Sequence, residues 1–560
     1  MRGLVRISRI FKKYYVTTLK SIVNFTAPGF YNYEEAVKAL NSLQTNTAFI
    51  KELEKKDRHS HDSEIKKFEE TIKFLERSGV SLEKLDELSV IHVSGTKGKG
   101  STCAFCESIL HHHGYKTGFY SSPHLVAVRE RIRINGQPLS QSDFAKYFWN
   151  IYNSLLELRK SNNDMPSYFK FLTVMAFYVF LSEKVDVAIV EVGIGGEYDC
   201  TNILRQVSTV GITSLGIDHT NVLGNTIEEI AWQKAGIMKP GSITFTVDEQ
   251  PKAALKVLKQ RASEKKIEGV REEVAEENIG PNRAEVTEGI HQLAGAALTT
   301  KDGTGSEEWL PVSPTFPISS SMALGLKFCT WPGRNQIIND GLIHFFLDGA
   351  HTSESLWLCA DWFIQNSQAI AKQDIPYRVL VFNCTGNRDP RALLLPLLNC
   401  GFQLVIFCPN SVTTSVDSSS DQANYMTSVT QQLEKCRSTQ DVWHELQEEN
   451  VKNRSSAFNG LQPLYVPNNL PINFHDSCNS FKSKAEVKLF PCMSDTLAYL
   501  KKKTEDEACK SHILVTGSLH LVGTASSVLD PDLTLATPQL SGGIGISPFS
   551  STDVMGSCTS

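Results

Sequence analysis

The stretch HVSGTKGKGS, residues 92–101, follows an apolar run that begins at Leu88 and leads directly into STCAFCESILHHHG, whose apolar residues recur with a helical period. A buried strand that passes through glycines into a helix commits the chain to a βα unit, and such units place a parallel sheet beneath covering helices. Glycines 95, 98 and 100 let backbone N–H groups turn toward an anion, Lys99 adds a point charge, and the following helix offers its positive end. The strict phosphate-loop pattern is not met. Val93 stands where its first glycine belongs, and Gly100 separates Lys99 from Ser101. Gly98, Lys99, Gly100 and Ser101 are therefore the candidate phosphate-binding positions, and a glycine-rich turn with incidental lysines is the alternative.

The same grammar recurs downstream. KTGFYSS, VDVAIVEVG and STVGITSLGIDH read as strands and FLTVMAFYVFLSE as a helix, while a further helix opens at Thr226 with Glu229 completing a capping box. Residues 250–330, with the charge-rich EKKIEGVREEVAEEN, break the pattern and read as a poorly packed stretch leading to a boundary. A second α/β set follows in LIHFFLDGAH, SLWLCADWFIQN, YRVLVFNCTG, FQLVIFCPN and SHILVTGSLHLVG. Between these, 411–485 is rich in Ser, Thr, Asn and Gln and reads as a long surface insertion. Two domains also suit the length, since 560 residues exceed the about 100–200 that one domain usually holds.

Charge and composition narrow the classes of function. No run approaches the roughly 20 apolar residues of a membrane span, and a net charge of -5 argues against a surface that coats nucleic acid. The chain has no acid before Glu34, whereas Arg2, Arg6, Arg9, Lys12, Lys13 and Lys20 alternate with apolar residues, as in an amphipathic mitochondrial transit peptide. A basic tail without a targeting role is the alternative. Thirteen cysteines without framework spacing fit a reducing interior. Cys103 and Cys106 form a lone CxxC with no second pair to complete a zinc site, and His111, His112 and His113 read as a solvated helix end.

Seven blocks occur in order: GTKGKGS, SSPHLVAVRERIRINGQ, VEVGIGGEYDCTN, GIDHTNVLGNTIEEIAWQKAGI, WPGR, LDGAH and TGSLHLVG. Together they resemble the folylpolyglutamate synthases, relatives of the Mur cell-wall ligases, over roughly 31–248 and 309–523. The resemblance implies an α/β protein with a P-loop mononucleotide-binding N-terminal domain on a parallel sheet, a smaller Rossmann-like C-terminal domain, and a site in the cleft between them. It implies an ATP-dependent ligase that adds L-glutamate to the γ-carboxyl of folates through an acyl phosphate, with Mg²⁺ and a monovalent cation such as K⁺ as candidate cofactors. Matched position by position, Ser122, Glu191 and His219 resemble the magnesium ligands, and Lys234 resembles a lysine that is carbamylated in relatives. Arg334 and Asp348 match nucleotide contacts. His351, Ser518 and His520 match positions near the incoming glutamate, and His351, Lys99 and Lys234 are the catalytic candidates. Pro123, His124, Arg131 and Arg133 lie in a segment resembling the loop that borders the folate, where the arginines would balance substrate carboxylates or stand as solvated surface groups.

The expected organisation is a transit segment at 1–30, a ligase domain at 31–312 that diverges over 250–308, a second domain at 313–526, and a disordered or variant tail at 527–560. Two departures from the family bear on activity. GIHQLAGAAL places Ile290 and Gly295 where relatives have a glutamate and an asparagine, and the sequence leaves the pattern again after Gly523. The expected protein is a monomeric enzyme of the mitochondrial matrix, with the cytoplasm as a second location, and its partners are small molecules. A dihydrofolate synthase, or a weakly catalytic nucleotide- or folate-binding form, is the alternative.

Overall fold

The computed structural model describes residues 32–44, 61–161, 164–247, 250–266, 318–372, 374–386, 388–414, 421, 429–456 and 484–533. The basic segment 1–30, the GIHQLAGAAL stretch with Ile290 and Gly295, and residues 534–560 lie outside the described residues.

The apolar runs form two sheets. The first runs β4 (Gln137–Pro138), β3 (Ile132–Ile134), β2 (Thr117–Tyr120), β5 (Val187–Glu191), β1 (Val90–Ser94), β6 (Thr209–Ile212), β7 (Ile243–Thr246). From β2 to β7 every pairing is parallel, and β2, β3 and β4 form an antiparallel meander at one edge. Every residue of β1 and β5 is buried, as expected when helices cover both faces of a parallel sheet. One face carries Phe144, Phe148 and Ile151 of Gln141–Glu157 and Phe171, Met175 and Phe180 of Tyr168–Glu183. The other carries Cys103, Cys106, Ile109 and Leu110 of α1 (Lys99–His112).

The second sheet runs β12 (Glu486–Leu489), β11 (Leu404–Phe407), β10 (Tyr377–Phe382), β13 (Ser511–Thr516), β9 (Ile343–Leu347), β8 (Gln336–Asp340). It is parallel except for the β8–β9 hairpin at its edge. Two sheets, each parallel at its centre and covered on both faces, are the α/β architecture expected from the alternating pattern.

Packing adds detail in four of these regions. The stretch 250–264 continues the first domain: α3 (Lys252–Glu264) lies on α2 (Ile227–Ala235), burying Ala254 and Leu258 and setting the Arg261 guanidinium 4.4 Å from the Trp232 ring centre and against Glu197. Helix α4 (Ser320–Phe328) packs on α1, with Met322 buried in the cluster over the first sheet. Within 411–485, α5 (Val429–Ser456) sends Cys436, Thr439, Trp443 and Leu446 into the core of the second sheet. Those four recur at spacings of 3, 4 and 3, a narrow stripe that the surrounding polar residues conceal. At the far end, α6 (Leu519–Leu529) runs beyond 526 and Leu533 is buried, so ordered chain reaches past the point where a tail was expected.

Thr226 and Glu229 form the capping box that opens α2. Cys103 and Cys106 are buried free thiols, and no group of three His, Cys, Asp or Glu among the described residues is arranged to hold a metal. His112 and His113 turn their rings to the carbonyls of Ser108 and Ile109 at the end of α1. No described helix is long and apolar enough to cross a membrane.

The contact between α1 and α4 depends on Gly325, where a Cβ would stand 2.5 Å from Ile109 Cα, while Ser108 Oγ donates to the Gly325 carbonyl at 2.7 Å. Gly325→Ala should force the helices apart and lower stability by about 1–3 kcal/mol, the usual cost of overpacking. Chemical denaturation of the full chain checks this, and an unchanged midpoint would contradict the packing.

Candidate functional site

The C-terminal ends of the parallel strands carry the expected site residues: the glycine loop after β1, Glu191 ending β5, Asp348 after β9 and Ser518 after β13. This is where open α/β sheets place ligand-facing groups. Two glycines permit the loop's path. Gly98 takes a left-handed φ of 86° to open α1, and at Gly95 a Cβ would stand 1.8 Å from Thr213 Oγ1. The loop is laced to the segment after β6, with Thr96 N and Lys97 N donating to Ser214 O at 2.9 and 3.2 Å and Thr96 Oγ1 donating to Gly216 O at 3.0 Å.

Three lysines converge on this turn. Lys99 Nζ and Lys234 Nζ both donate to the Gly95 carbonyl, at 3.1 and 2.7 Å. Lys97 Nζ, which the motif reading passed over, pairs with Asp218 at 3.2 Å and meets His351 Nε2 at 3.1 Å. Because His351 Nδ1 lies 2.8 Å from the Gly349 carbonyl, it carries the proton there, and Nε2 turns its lone pair to the lysine. Lys97 thus joins the first sheet's loop to the second sheet's. Burial, reinforced by Lys99, brings the Lys234 ammonium down to about 7. Burial, reinforced by Lys97, holds His351 at about 4, so its ring is neutral at physiological pH.

Glu191 is buried, which pushes its carboxyl upward, and Lys99 opposes that shift most strongly. Its Oε2 accepts from Ser122 N at 3.0 Å. His219 takes a left-handed φ of 52° next to Asp218, whose Oδ1 accepts its N–H at 2.9 Å, and burial keeps the ring below its ordinary value. Lys99 acts on both Glu191 and His219. A magnesium ion ordinarily binds one or two carboxylates and completes its shell with water and phosphate oxygens. The donor set of one carboxylate, the Ser122 hydroxyl and a neutral imidazole is chemically compatible with that, although it is not a preassembled three-ligand cage.

The loop that starts with the cis Ser122–Pro123 bond is held from both domains. Glu130 accepts the N–H groups of Leu125 and Val126 at 3.2 and 2.7 Å, and Leu125, Val126 and Ala127 are buried in the second domain's core beside Leu521 and Val522. Asp421 also reaches it, accepting from Val128 N and Tyr33 OH at 2.7 Å each, while His124 Nε2 donates to its carbonyl at 3.0 Å. The polar composition around Asp421 gave no sign of that role. His124 Nδ1 accepts from Arg131 Nε at 3.0 Å, and the Arg131 guanidinium lies 5.5 Å from the Tyr168 ring centre.

Arg133, two residues on, goes elsewhere. It lies 5.7 Å from the Phe119 ring centre and 5.0 Å from that of Trp331, in the layer that also meets Gly100. Arg334 sits against Gly349, where a Cβ would meet its guanidinium. Asp348 accepts from Asn335 N and Ala350 N, 2.9 Å each, so its carboxylate ties two loops together. Ser518 is a buried N-cap that accepts from His520 N at 3.2 Å, and burial lowers the His520 ring, with Arg131 and Arg388 adding to the effect. Arg388 follows β10 and also acts on Lys97 and His351; the cue available for it was its place after a parallel strand.

A glycine loop on one parallel sheet, joined through Lys97 and His351 to the loop after β9 of a second parallel sheet, defines a two-domain α/β protein of the nucleotide-binding kind. No protein-family model matches the chain. The mitochondrial folylpolyglutamate synthase of Homo sapiens is 41% identical over 558 residues, covering 90% of this chain and 92% of that one. Among solved structures, E. coli FolC in complex with DHPP and ADP aligns at a TM-score of 0.56 with 21% identity, covering 89% of this chain and 98% of that one. A Mycobacterium tuberculosis folylpolyglutamate synthase complexed with ADP and AMPPCP aligns at 0.54 with 21% identity, covering 83% and 99%. The chain belongs to the folylpolyglutamate synthase family.

The depressed Lys234 has a pH signature. At and below about pH 7 the buried ammonium weighs fully against the folded state, and that cost lifts as pH rises toward 10.5, because the folded state releases its proton before the unfolded state does. Relative to Lys234→Met, the wild type should therefore gain stability as pH rises from about 7 to 9. Denaturation midpoints across that range test it, and a constant gap would contradict the assignment.

Proposed function

We propose that this protein is an ATP-dependent ligase that joins L-glutamate to the γ-carboxyl of folates, through an acyl phosphate formed at the cleft between its two sheets. The observation that carries the reading is family membership across 90% of the chain together with a glycine loop at which Lys99 and Lys234 share the Gly95 carbonyl while Lys97 reaches His351. A carboxylate does not accept an amine at neutral pH, so the folate carboxylate first takes the γ-phosphoryl of ATP, and phosphoryl transfer needs positive charge around the moving group.

In this reading Lys99 and the N–H groups of Gly98, Gly100 and Ser101 hold the phosphates, and Arg334 approaches them from the second domain. Ser122, Glu191 and His219 would hold Mg²⁺, which neutralises phosphate charge when bound; K⁺ is a further candidate cofactor. Lys234, brought down to about 7, holds a share of free amine near neutral pH, the form that adds CO₂, consistent with a carbamate that would exchange a repelling ammonium for an attracting carboxylate. Lys97, set between Asp218 and His351, stands where the two domains meet. His351 is too weakly basic to strip an ammonium and so orients Lys97 and the incoming glutamate, beside Ser518 and His520. Pro123, His124 and Arg131 border the folate, Arg131 facing a substrate carboxylate. Arg133 supports that loop from below, and Asp348 fixes the loop that carries Arg334. The basic first thirty residues and the mitochondrial relative support a place in the matrix, and a monomer suffices because both halves of the cleft lie in one chain.

Incorporation of labelled glutamate into tetrahydrofolate, with ATP and magnesium, tests the proposal. The wild type should require all three, and Lys99→Ala should be slower by orders of magnitude, since losing a charge-stabilising group costs about 3–4 kcal/mol. Equal rates in wild type and variant would remove Lys99 from the phosphate site. Incorporation onto dihydropteroate alone would make the enzyme a dihydrofolate synthase, and none onto either would leave a binding protein.

A further inference from the structure

The phosphate loop leans on Thr213–Gly216, and that segment needs a support of its own. Strand β7 pairs with β6 as far as Ile212 and Thr246, and among the described residues no strand pairs with the outer side of the segment that follows β6. The buried side chain of Gln250 takes its place. Its Oε1 accepts from Leu215 N at 2.9 Å and its Nε2 donates to Thr213 O at 2.9 Å. A carbonyl and an N–H two residues apart are what a neighbouring parallel strand would engage, and one amide side chain supplies both a donor and an acceptor. Thr246 Oγ1 accepts from Gln250 Nε2 at 3.1 Å and donates to Ile212 O at 3.0 Å, which orients the amide.

On its inner side the same segment meets the loop. Thr213 N donates to Ser94 O at 2.9 Å, Thr96 N donates to Ser214 O at 2.9 Å, and Gly216 N donates to Thr96 Oγ1 at 3.1 Å. Asp218, the partner of Lys97, lies two residues further on. We propose that Gln250 is a positioning residue for the nucleotide site: its amide extends the sheet edge beyond β7 and fixes the Thr213–Gly216 segment on which the Gly95–Lys97 turn and the Asp218–His219 pair are set. It touches no substrate and acts only through that segment. The proposal rests on the nucleotide reading of the loop.

The test compares the full-length wild type with Gln250→Met, which keeps length and removes both polar atoms, and with Thr246→Val, which removes only the hydroxyl that orients the amide. Hydrogen exchange without ligand is followed in 92–101, in 213–218 and in the remote strand 377–382, and affinity for magnesium–ATP is measured by calorimetry beside the KM for tetrahydrofolate. In Gln250→Met the first two segments should exchange faster and ATP binding should weaken, each about tenfold, as expected for two buried backbone groups left unpaired. The remote strand and the folate KM should stay within about twofold, and Thr246→Val should show the same pattern more weakly. Exchange and ATP affinity matching the wild type would overturn the proposal, as would acceleration spread equally over both sheets. Should Gln250→Met fail to fold, Thr246→Val decides the matter by the same criteria. A wild type that binds no ATP would remove the nucleotide reading, while exchange in the unliganded chain would still decide whether Gln250 holds the loop.

Discussion

Two ammonium groups share one backbone carbonyl, that of Gly95, and a third lysine stands two residues along the same turn. Crowded like charges are unfavourable unless an anion is expected, and the cost shows in Lys97 and Lys234, both held below their ordinary values chiefly by burial, with Lys99 adding to each. The arrangement is possible because Gly95 has no side chain, which lets the turn press against Thr213 and aim its carbonyl at both cations. A site built this way is organised before substrate arrives, which is the form in which electrostatic stabilisation is most effective.

The second constraint is that neither sheet completes the site alone. Lys97 reaches His351, Asp421 reaches Val128 and Tyr33, and Leu125, Val126 and Ala127 are buried beneath Leu521 and Val522. At Gly523 a Cβ would stand 2.1 Å from the Leu125 carbonyl, so the second domain's helix approaches this loop as closely as backbone allows. The loop that begins at Ser122, beside Glu191, and ends at Arg131 is thus shaped by contacts from both halves of the chain.

Much of the fold was legible because its strands are buried on both faces. VAIVE and LVIF are almost wholly apolar and VIHVS is buried throughout, with no alternation to blur them, and β1 and β5 end beside the glycine loop and at Glu191. Helices were less legible where tertiary packing, not pattern, decided their place. Ser320–Phe328 carries an apolar character that suits either sheet, and only the missing side chain at Gly325 reveals that it lies on Lys99–His112. Lys97 escaped notice because its partners, Asp218 and His351, are distant in sequence, and Arg131 and Arg133 looked alike until the 3₁₀ turn at Val128–Arg131 sent them in different directions. Gln250 had no motif at all, since its role follows from where β7 stops.

On the proposed reading, the folate carboxylate becomes an acyl phosphate before glutamate attacks. In that route a carboxylate oxygen bonds to the γ-phosphorus as ADP leaves, and it departs with inorganic phosphate when the amine forms the amide. Tetrahydrofolate labelled with ¹⁸O in its γ-carboxyl, turned over once with ATP and glutamate, should therefore yield phosphate carrying one labelled oxygen, read by mass spectrometry. Amide product accompanied by unlabelled phosphate would contradict the account.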